Sequence, residues 1–325
     1  MSVLSVAVIC GGPSAEANVS RSSAKAVAAA LEQAGHRPTV VELEAPLARA
    51  LSEGRFDVAF PVTHGPLGED GCLQGLLEVF DLPYVGSGVL ASALAASKPH
   101  AKALFRAAGL PLADEVVVRA GEPTLAAVAA LGGAVVVKPA SGGSAIGTTR
   151  LRADSSPEAV QAAFDAAFAV DGVALVERFV TGHEVTCGVL ESDAGPSALP
   201  PTLITSHAAD WYDFTSRYAA GGSSHQCPAP LPPRVTARIQ AVAVAAFRAL
   251  GCRDLGRVDF VVGEGDDPSG VVLLEINTLP GMTRTSLYPE AAAATGVDFP
   301  SLCSRLAQRA HARPRRVRPT ELPMP

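Results

Sequence analysis

The chain has 325 residues, of which 48% are hydrophobic, and a formal net charge of −6 at pH 7. A chain of this length exceeds the size at which a single hydrophobic core usually keeps growing, so we expect two or three domains. The acidic balance, with no basic stripe before the C-terminal tail, argues against a nucleic-acid partner.

Cysteine usage and hydropathy indicate a cytoplasmic protein. The six cysteines are scattered, without a CxxC pair or a metal-ligand spacing, and we expect them to be reduced thiols. The first ten residues lack a basic leader and reach a Gly-Gly turn, so they predict a strand and not a signal peptide. No apolar run is long enough to cross a bilayer, and we expect no membrane partner.

Strands and helices alternate along the first hundred residues, which is the pattern of a parallel sheet covered by helices. The pattern predicts strands at residues 3–10, 39–42 and 57–62 and an alanine-rich helix from about 20 to 34. The turn-rich segment LPYVGSG then precedes a predicted domain end near residue 96.

A second group of elements follows and is opened by a predicted helix at residues 98–108. Its strands are predicted at 116–118, 134–139 and 173–180. A third group begins near residue 184, and the last residues are proline-rich and partly basic, as in a disordered tail. The sequence therefore predicts domains at residues 1–96, 97–183 and 184–310, and a tail at 311–325.

The densest chemistry lies in two predicted strands, LGRVDFVV and VVLLEIN, joined by the polar turn GEGDDPSG. Residues two apart in a strand share a face, so Arg257 and Asp259 point one way, and Glu275 and Asn277 do likewise across the hairpin. Carboxylate and amide oxygens are hard ligands, which suit Mg²⁺ bound together with substrate phosphates. The alternative is a hairpin whose solvent face is polar by chance.

A phosphate site is indicated in the second domain. Lys138 ends the apolar strand AVVVKP, and the glycine-rich run SGGSAIG follows directly, so a cation lies beside backbone N–H groups that suit phosphate. Lys98 opens the same domain. Neither a Walker A loop nor a GxGxxG fingerprint is present, so the site would be of another kind.

An adenosine site is indicated by the strand that ends with Glu177, Arg178, Phe179 and Val180. Such a strand end offers backbone hydrogen bonds and apolar walls for adenine. Glu177 or Glu184 could accept the ribose hydroxyls. Each element is a weak signal alone, and their combination with a downstream Mg²⁺ cluster is stronger.

Taken together, the segments of this chain resemble a known family. They are GGPSAEANVS, THGPLGEDG, LPYVGSGVLASALAASK, VVVKPASGGSAIG, WYDFTSRY, CPA, GRVDF and LLEINTLPGMTRTSLYP. In this order, from Ser5 to about Ala307, they are similar to the D-alanine:D-alanine ligases of the ATP-grasp superfamily. The resemblance implies an α/β fold of three subdomains, with an N-terminal parallel sheet and ATP gripped between the other two, and a homodimer. It also implies an enzyme that uses ATP to join two D-alanines, through an acylphosphate, for peptidoglycan precursor synthesis.

The resemblance assigns roles around ATP. Two Mg²⁺ ions, or Mn²⁺ in their place, would be held by Asp259 and Glu275 and by Glu275 and Asn277. Lys98, Lys138 and Arg217 would contact the phosphates. Arg257 and the backbone N–H of Gly281 would stabilise the oxyanion of the tetrahedral intermediate.

The resemblance also assigns roles around the two D-alanines. Glu16 would bind the first ammonium with His64 nearby, and Ser286 with the backbone of Leu287 would hold the second carboxylate. Ser144 and Tyr218 would link the glycine-rich loop and a second loop to Glu16, and closure would exclude water. Judged on the residues alone, Glu16 could instead be a helix-start acid, His64 a structural histidine, and Tyr218 a core residue.

Two other functions remain as alternatives. One is a related ligase with a different acceptor, such as D-serine, D-lactate or a secondary metabolite. Ala145 stands where relatives have a serine, Arg217 where they have a lysine, and the run AAGGSS near the acceptor site differs from the acidic loop of many relatives. Tyr218 favours an amine acceptor, because the lactate-using relatives do not keep it. The other alternative is a nucleotide-binding regulatory protein without activity.

Overall fold

The computed structural model describes residues 2–207 and 222–314, which form three sheets covered by helices. The N-terminal sheet has the strand order β2-β1-β3 and is parallel throughout. Its strands are β1 (Ser5–Cys10), β2 (Arg37–Glu42) and β3 (Val58–Pro61). Its helices are α1 (Ala17–Gln33), α2 (Leu47–Glu53), α3 (Cys72–Val79) and α4 (Val89–Ala96). The central strand β1 is an almost continuous buried apolar run, because both faces of the parallel sheet are covered.

The first helix begins earlier than the sequence pattern predicted. Helix α1 starts at Ala17 instead of about Ser20, with Glu16 at its N-cap position. The backbone carbonyl of Ser14 accepts a bond from Ala17, and the Ser14 hydroxyl accepts one from the N–H of Glu16. The Gly-Gly turn therefore runs directly into the helix.

The central sheet is antiparallel, with the strand order β4-β7-β5-β6. Its strands are β4 (Glu115–Arg119), β5 (Val135–Pro139), β6 (Thr149–Leu151) and β7 (Val173–Arg178). The helices of this part are α5 (Lys98–Ala107), α6 (Thr124–Leu131) and α7 (Pro157–Phe168). Helix α7 has a clear start, since the Ser156 hydroxyl accepts a bond from the Ala159 N–H and Pro157 occupies the first turn.

The C-terminal sheet is antiparallel, with the order β11-β10-β8-β12-β13 and β9 on the side of β8. Its strands are β8 (His183–Ser192), β9 (Gly195–Ala198), β10 (Thr202–Ser206), β11 (Ser223–Gln226), β12 (Leu255–Val262) and β13 (Val271–Asn277). A 3-10 turn, Pro268–Gly270, lies between β12 and β13. Its helices are α8 (Pro233–Ala249), α9 (Leu287–Ala293) and α10 (Phe299–Ala312).

The hydrophobic cores do not follow the three sheets one to one. One core joins the N-terminal sheet to helices of the C-terminal part, since Val6 and Val8 pack in the same cluster as Tyr288, Leu302 and Leu306. The central sheet has its own core between its strands and α6 and α7. The first and third parts are therefore held together by shared apolar burial.

Helix α5 lies at the border between the second and third parts. It was expected to open the central domain, but Ala101 and Phe105 are buried in the core of the C-terminal sheet, in the same cluster as Phe260. Lys102, on the same helix, instead contacts the carboxylates of Glu115 and Glu177 in the central sheet. Helix α5 thus contacts both the central and the C-terminal sheet.

A buried aspartate connects the ends of the chain. Asp254 has no exposed surface, and one carboxylate oxygen accepts bonds from the Gly86 N–H (2.8 Å) and from Arg313. Its other oxygen lies 3.5 Å from Nε of Arg309 on α10. Asp254 therefore links the segment after β3, the start of β12 and the last helix.

Across residues 2–207 and 222–314, we find no helix that combines the length and the apolar character needed to span a bilayer. The six cysteines are free thiols.

Candidate active site

The hairpin of β12 and β13 places four polar side chains in two facing pairs. Arg257 lies opposite Asn277, and Asp259 lies opposite Glu275. The register shifts after Asp259, where an irregularity sets Phe260 opposite Leu273. The arrangement agrees with the common face that strand alternation indicated, and the flanking residues Val258, Phe260 and Ile276 are buried behind it.

The oxygens of this face are all hard ligands, and several already have protein partners. Nε and one terminal nitrogen of Arg257 donate to the two oxygens of Asp259 at 2.9 Å, and the Thr186 hydroxyl donates to the same carboxylate at 2.6 Å. The Asn277 side-chain oxygen accepts a bond from the N–H of Leu279. In the described part of the chain, no group of three or more His, Cys, Asp or Glu side chains could hold a metal ion. The donor set here is two carboxylates and an amide, which suits Mg²⁺ only if phosphates and water complete the shell.

A cleft of about 420 Å³ lies between the central and C-terminal sheets, next to this hairpin. The structure places every described residue predicted to bind nucleotide on its lining: Lys98, Lys138, Glu177, Arg178, Phe179, Val180 and Glu184. Glu275 and Ser144 lie on the same lining. Apolar walls come from both sheets, with Val136 and Ile146 on one side and Val261 and Leu274 on the other. An apolar cleft with a few charged groups at one end is typical of a nucleotide site.

Lysines and carboxylates alternate at the inner end of the cleft. Nζ of Lys138 lies 2.6 Å from one oxygen of Glu177, and Nζ of Lys98 lies 3.7 Å from an oxygen of Glu275. Burial alone would raise the pKa of Glu177, but Lys138 and Lys102 outweigh it and hold the pKa at about 2. Burial lowers the pKa of Lys98, with Lys138 adding to the effect, while Glu275 opposes it. Both oxygens of the Glu177 carboxylate are therefore engaged with lysines.

The glycine-rich loop at residues 141–148 folds over the lysines. Nζ of Lys98 donates to the carbonyl of Gly142, and the backbone N–H of Lys98 donates to that of Ala140. Ser144 and Ala145 both have positive φ, 54° and 56°, which is unusual for residues with a side chain. A residue with a side chain keeps a positive φ only where the surrounding structure fixes it, and such residues are common at ligand sites.

Ser144 connects this loop to the N-terminal part. Its hydroxyl donates to a carboxylate oxygen of Glu16 at 2.6 Å, across 128 residues of sequence. Glu16 is the N-cap residue of α1, as the simpler interpretation held, yet its side chain reaches across to the glycine-rich loop. The bond brings the α1 start next to the cleft.

His64 and Glu69 lie on the loop after β3, beside Glu16. Burial lowers the pKa of the His64 imidazole, and the nearby Arg257 adds to this while Glu16 opposes it. Burial also raises the pKa of Glu69 to about 7, with Glu16 and Glu275 adding to the increase, against the Gly65 N–H bond and Lys98. The Glu69 carboxylate accepts the Gly65 N–H at 2.7 Å. His64 is thus a buried neutral imidazole at a charged corner of the site.

The segment after β13 forms a turn that ends at helix α9. Ser286 is the N-cap residue of α9, and Leu287 is its first residue. The Ser286 hydroxyl accepts a bond from the N–H of Thr283 at 3.1 Å. It also lies close to Gly281, where an added Cβ would be 3.0 Å from the hydroxyl oxygen. A turn of N–H groups at a helix start is suited to a carboxylate.

Two predicted residues, Arg217 and Tyr218, lie outside the described residues. Three residues of the site were not predicted: Glu69, Lys102 and Thr186. A signal existed for two of them. Glu69 is one of the two acids of THGPLGEDG. Thr186 follows Glu184 by two positions, so alternation along β8 puts Thr186 and Glu184 on one face. For Lys102 the sequence offered no signal beyond its distance of one helical turn from Lys98.

Two family models match the chain. The model described as D-ala D-ala ligase N-terminus covers residues 46–87, and the one described as D-ala D-ala ligase C-terminus covers residues 104–308. The chain is 44% identical over 310 residues to the D-alanine–D-alanine ligase of Acidiphilium cryptum, covering 95% of this chain and 99% of the relative. It is 43% identical over 302 residues to that of Geobacter sulfurreducens, covering 93% and 92%.

Solved structures agree over the same length. The D-alanine-D-alanine ligase from Coxiella burnetii superposes with a TM-score of 0.79 at 29% identity, covering 96% of this chain and 94% of that one. The Bacillus anthracis enzyme complexed with ATP gives a TM-score of 0.79 at 27% identity, covering 95% and 97%. The similarity therefore extends over all three sheets.

Proposed function

Because the chain belongs to the D-alanine–D-alanine ligase family, it is an ATP-dependent ligase that joins two D-alanines, and we propose that the reaction takes place at the inner end of the cleft between the central and C-terminal sheets. The dipeptide product serves peptidoglycan precursor synthesis. The observation that carries the location is the convergence of Lys98, Lys138 and Glu275 on one lining, with Asp259 directly opposite Glu275 on the hairpin.

The chemistry requires an activated carboxylate. The carboxylate of the first D-alanine attacks the γ-phosphorus of ATP, which gives an acylphosphate and ADP. The amine of the second D-alanine then attacks the acyl carbon, a C–N bond forms, the C–O bond to phosphate breaks, and the amine loses a proton. In phosphoryl transfer the protein mainly positions groups and neutralises charge.

We propose that Lys98 and Lys138 contact the phosphates of ATP, together with Arg217. Phe179 and Val180 would contact adenine, with Val261 and Leu274 on the opposite wall. Glu184 would take the ribose hydroxyls, since both Glu177 oxygens already face lysines. The backbone at Arg178, the last residue of β7, would offer hydrogen bonds to adenine.

Asp259 and Glu275 would hold one Mg²⁺, and Glu275 and Asn277 a second. The support is chemical, because all three supply hard oxygen ligands on one face. When bound, Mg²⁺ neutralises the charge that develops on the transferred phosphoryl group. Asp259 would keep its bonds to Thr186 and Arg257, which fix the orientation of the carboxylate.

Around the D-alanines, Glu16 would bind the first ammonium, beside His64. Arg257 and the Gly281 N–H would stabilise the oxyanion, and Ser286 with the Leu287 N–H would bind the second carboxylate. The bond from Ser144 to Glu16 supports a role for the glycine-rich loop in closing the site. By the family resemblance, Tyr218 would link a second loop to Glu16. We also propose that the protein is a homodimer in the cytosol. Each chain would have domain boundaries near residues 96 and 183.

Phosphate release from ATP, measured with a panel of D-amino and D-hydroxy acids, tests the function. We expect release and dipeptide formation with D-alanine alone and no release with D-lactate as the sole addition. A preference for D-serine or D-lactate as acceptor would identify a related ligase, and no ADP with any acid would overturn the assignment.

A further inference from the structure

Lysine is rare in this chain, and its few copies are not spread evenly. Of 26 lysines and arginines, four are lysines: Lys25, Lys98, Lys102 and Lys138. Three of these four meet at the inner end of the cleft. Apart from Lys25, the chain uses arginine for positive charge elsewhere, so the three lysines at the cleft mark positions that suit a compact ammonium better than a planar fork.

Lys102 is the most buried of them, with 1% of its side chain exposed. It lies on α5, one helical turn after Lys98, and behind Glu177 as seen from the cleft. Desolvating an ammonium carries a large free-energy cost unless carboxylates compensate for it. A buried lysine therefore needs a reason in its surroundings.

The surroundings are two carboxylates that face each other. Glu115 on β4 and Glu177 on β7 are direct cross-strand neighbours, and like charges in that position repel. Nζ of Lys102 lies 2.6 Å from an oxygen of Glu177 and 3.5 Å from one of Glu115. The ammonium thus bridges the pair from the helix side.

Glu177 in turn has a second lysine on its other oxygen. Nζ of Lys138 lies 2.6 Å away and is exposed to the cleft, unlike Lys102. If Glu177 had Lys138 as its only cation, the two charges would cancel, and the ammonium would be held back from any ligand. With Lys102 on its first oxygen, the Glu177 carboxylate is shared between two ammonium groups, so Lys138 is not its sole counter-ion.

We propose that Lys102 is a positioning residue for the phosphate chain of ATP, because it takes one oxygen of Glu177 and so leaves the charge of Lys138 available to phosphate. The inference rests on the proposed function of the cleft. It concerns a residue that does not touch the nucleotide, and it predicts an effect on phosphate binding that is separate from adenosine binding.

The test compares ATP with adenosine on the full-length protein in the presence of Mg²⁺. Lys102→Met keeps the length of the side chain and removes the charge. We expect the affinity for ATP to fall about tenfold, the size of effect that one charge-assisted hydrogen bond gives, while adenosine changes less than about twofold. The KM for ATP should rise in the same proportion, with kcat less affected and the KM for D-alanine unchanged.

Arg106→Met is the matched control. Arg106 lies on the same helix and pairs with Glu115 at 2.8 Å, but it is 56% exposed and is not a partner of Glu177. Its loss should leave the affinity for ATP unchanged. If both variants weaken ATP equally, the effect is a general change of charge and the inference is wrong.

Lys102→Met/Glu115→Gln separates positioning from folding. The double variant removes one of the two facing charges, so we expect thermal stability to recover while the affinity for ATP stays low. Recovery of both would reduce Lys102 to a structural role and overturn the inference, as would equal losses for ATP and adenosine. If the wild type itself bound ATP no better than adenosine, the proposed site would fail instead.

Discussion

Two buried carboxyl groups of the site have pKa values shifted in opposite directions. Glu177, between two lysines, has a pKa of about 2, whereas Glu69 has a pKa of about 7 because burial and the nearby Glu16 and Glu275 outweigh its bond to Gly65 and the pull of Lys98. Groups of one chemical type are thus separated by their neighbours. Near neutral pH, a substantial fraction of Glu69 carries a proton in the absence of metal and nucleotide.

Glu69→Gln should weaken the pH dependence of stability. The folded protein releases the Glu69 proton near pH 7 and the unfolded chain near 4.5. The folded state therefore binds more protons in that window, and its stability falls as the pH rises through it. The Gln oxygen still accepts the Gly65 N–H, so urea midpoints measured in EDTA from pH 5 to 8 should decline less for the variant.

Glu53→Gln, at an exposed site paired with Arg49, is the control for this measurement and should decline as the wild type does. An unchanged decline in Glu69→Gln would show that Glu69 does not titrate in the window.

Glu275→Gln should abolish turnover without unfolding the protein. Glu275 is the one residue proposed to contact both metal ions, and a neutral amide is a much weaker ligand for Mg²⁺. We expect no ADP above background at saturating ATP and D-alanine, with an unchanged circular dichroism spectrum. Asp266→Asn in the exposed turn of the same hairpin should keep full activity. Near-normal ADP formation in a folded Glu275→Gln protein would contradict the metal assignment.

At this scale, residues on strands were predictable and residues facing another element were not. Alternation along β12 and β13 was enough to place Arg257, Asp259 and Glu275 together. The burial of Lys102 depends on how α5 packs against two sheets, which no local pattern encodes. The bond from Ser144 to Glu16 also depends on how two distant elements pack, so no local pattern predicts it. Only the resemblance to a family indicated it.

At the scale of elements, the cleft depends on the close approach of β8 and β12 at its rim. Gly182 precedes β8, and a methyl group there would collide with the carbonyl oxygen of Val262. Gly182 also lines the cleft. The absence of a side chain at this position thus lets the strand backbones meet beside the proposed adenine site.

Gly182→Ala should destabilise the protein by about 1 to 3 kcal/mol, as overpacking of a tight contact usually does. The KM for ATP should rise as well, because the strands can separate only by moving a wall of the cleft. Gly172→Ala is the control, since a methyl group there meets nothing within 4 Å. Equal unfolding free energies for the two variants would mean that β8 shifts without cost.

The order of elements followed from periodicity, but their ends did not. Strands β1 and β12 lie where apolar runs indicated, whereas β3 ends at Pro61 and β7 at Arg178, short of the predicted ends. Strand β7 ends at Arg178 because its partner there, Val135, is the first residue of β5, and that partner comes from elsewhere in the chain.

At the scale of the whole molecule, the first and last parts of the chain form one body. They share a core, and Asp254 adds polar links from Gly86 to Arg309 and Arg313. The central sheet packs around its own core. The cleft therefore lies between parts with separate cores, which suits a site that must admit and release a nucleotide.

Asp254→Ala should cost about 3 to 5 kcal/mol, because it leaves two arginines and a buried N–H without their shared partner. Chemical denaturation at pH 7 measures the loss. Asp193→Ala removes a fully exposed partner of the same Arg309 and should cost far less than Asp254→Ala. Similar losses in both variants would show that the Asp254 network adds no more than a surface pair.

The shared core also determines the order in which this protein can fold as it is made. Val6 and Val8 emerge from the ribosome well before Leu302 and Leu306 of α10, which complete their cluster. At about 5 to 20 residues per second, the delay is on the order of half a minute. During synthesis, the part of this apolar face that α1 does not cover stays without its native packing until α10 has been made.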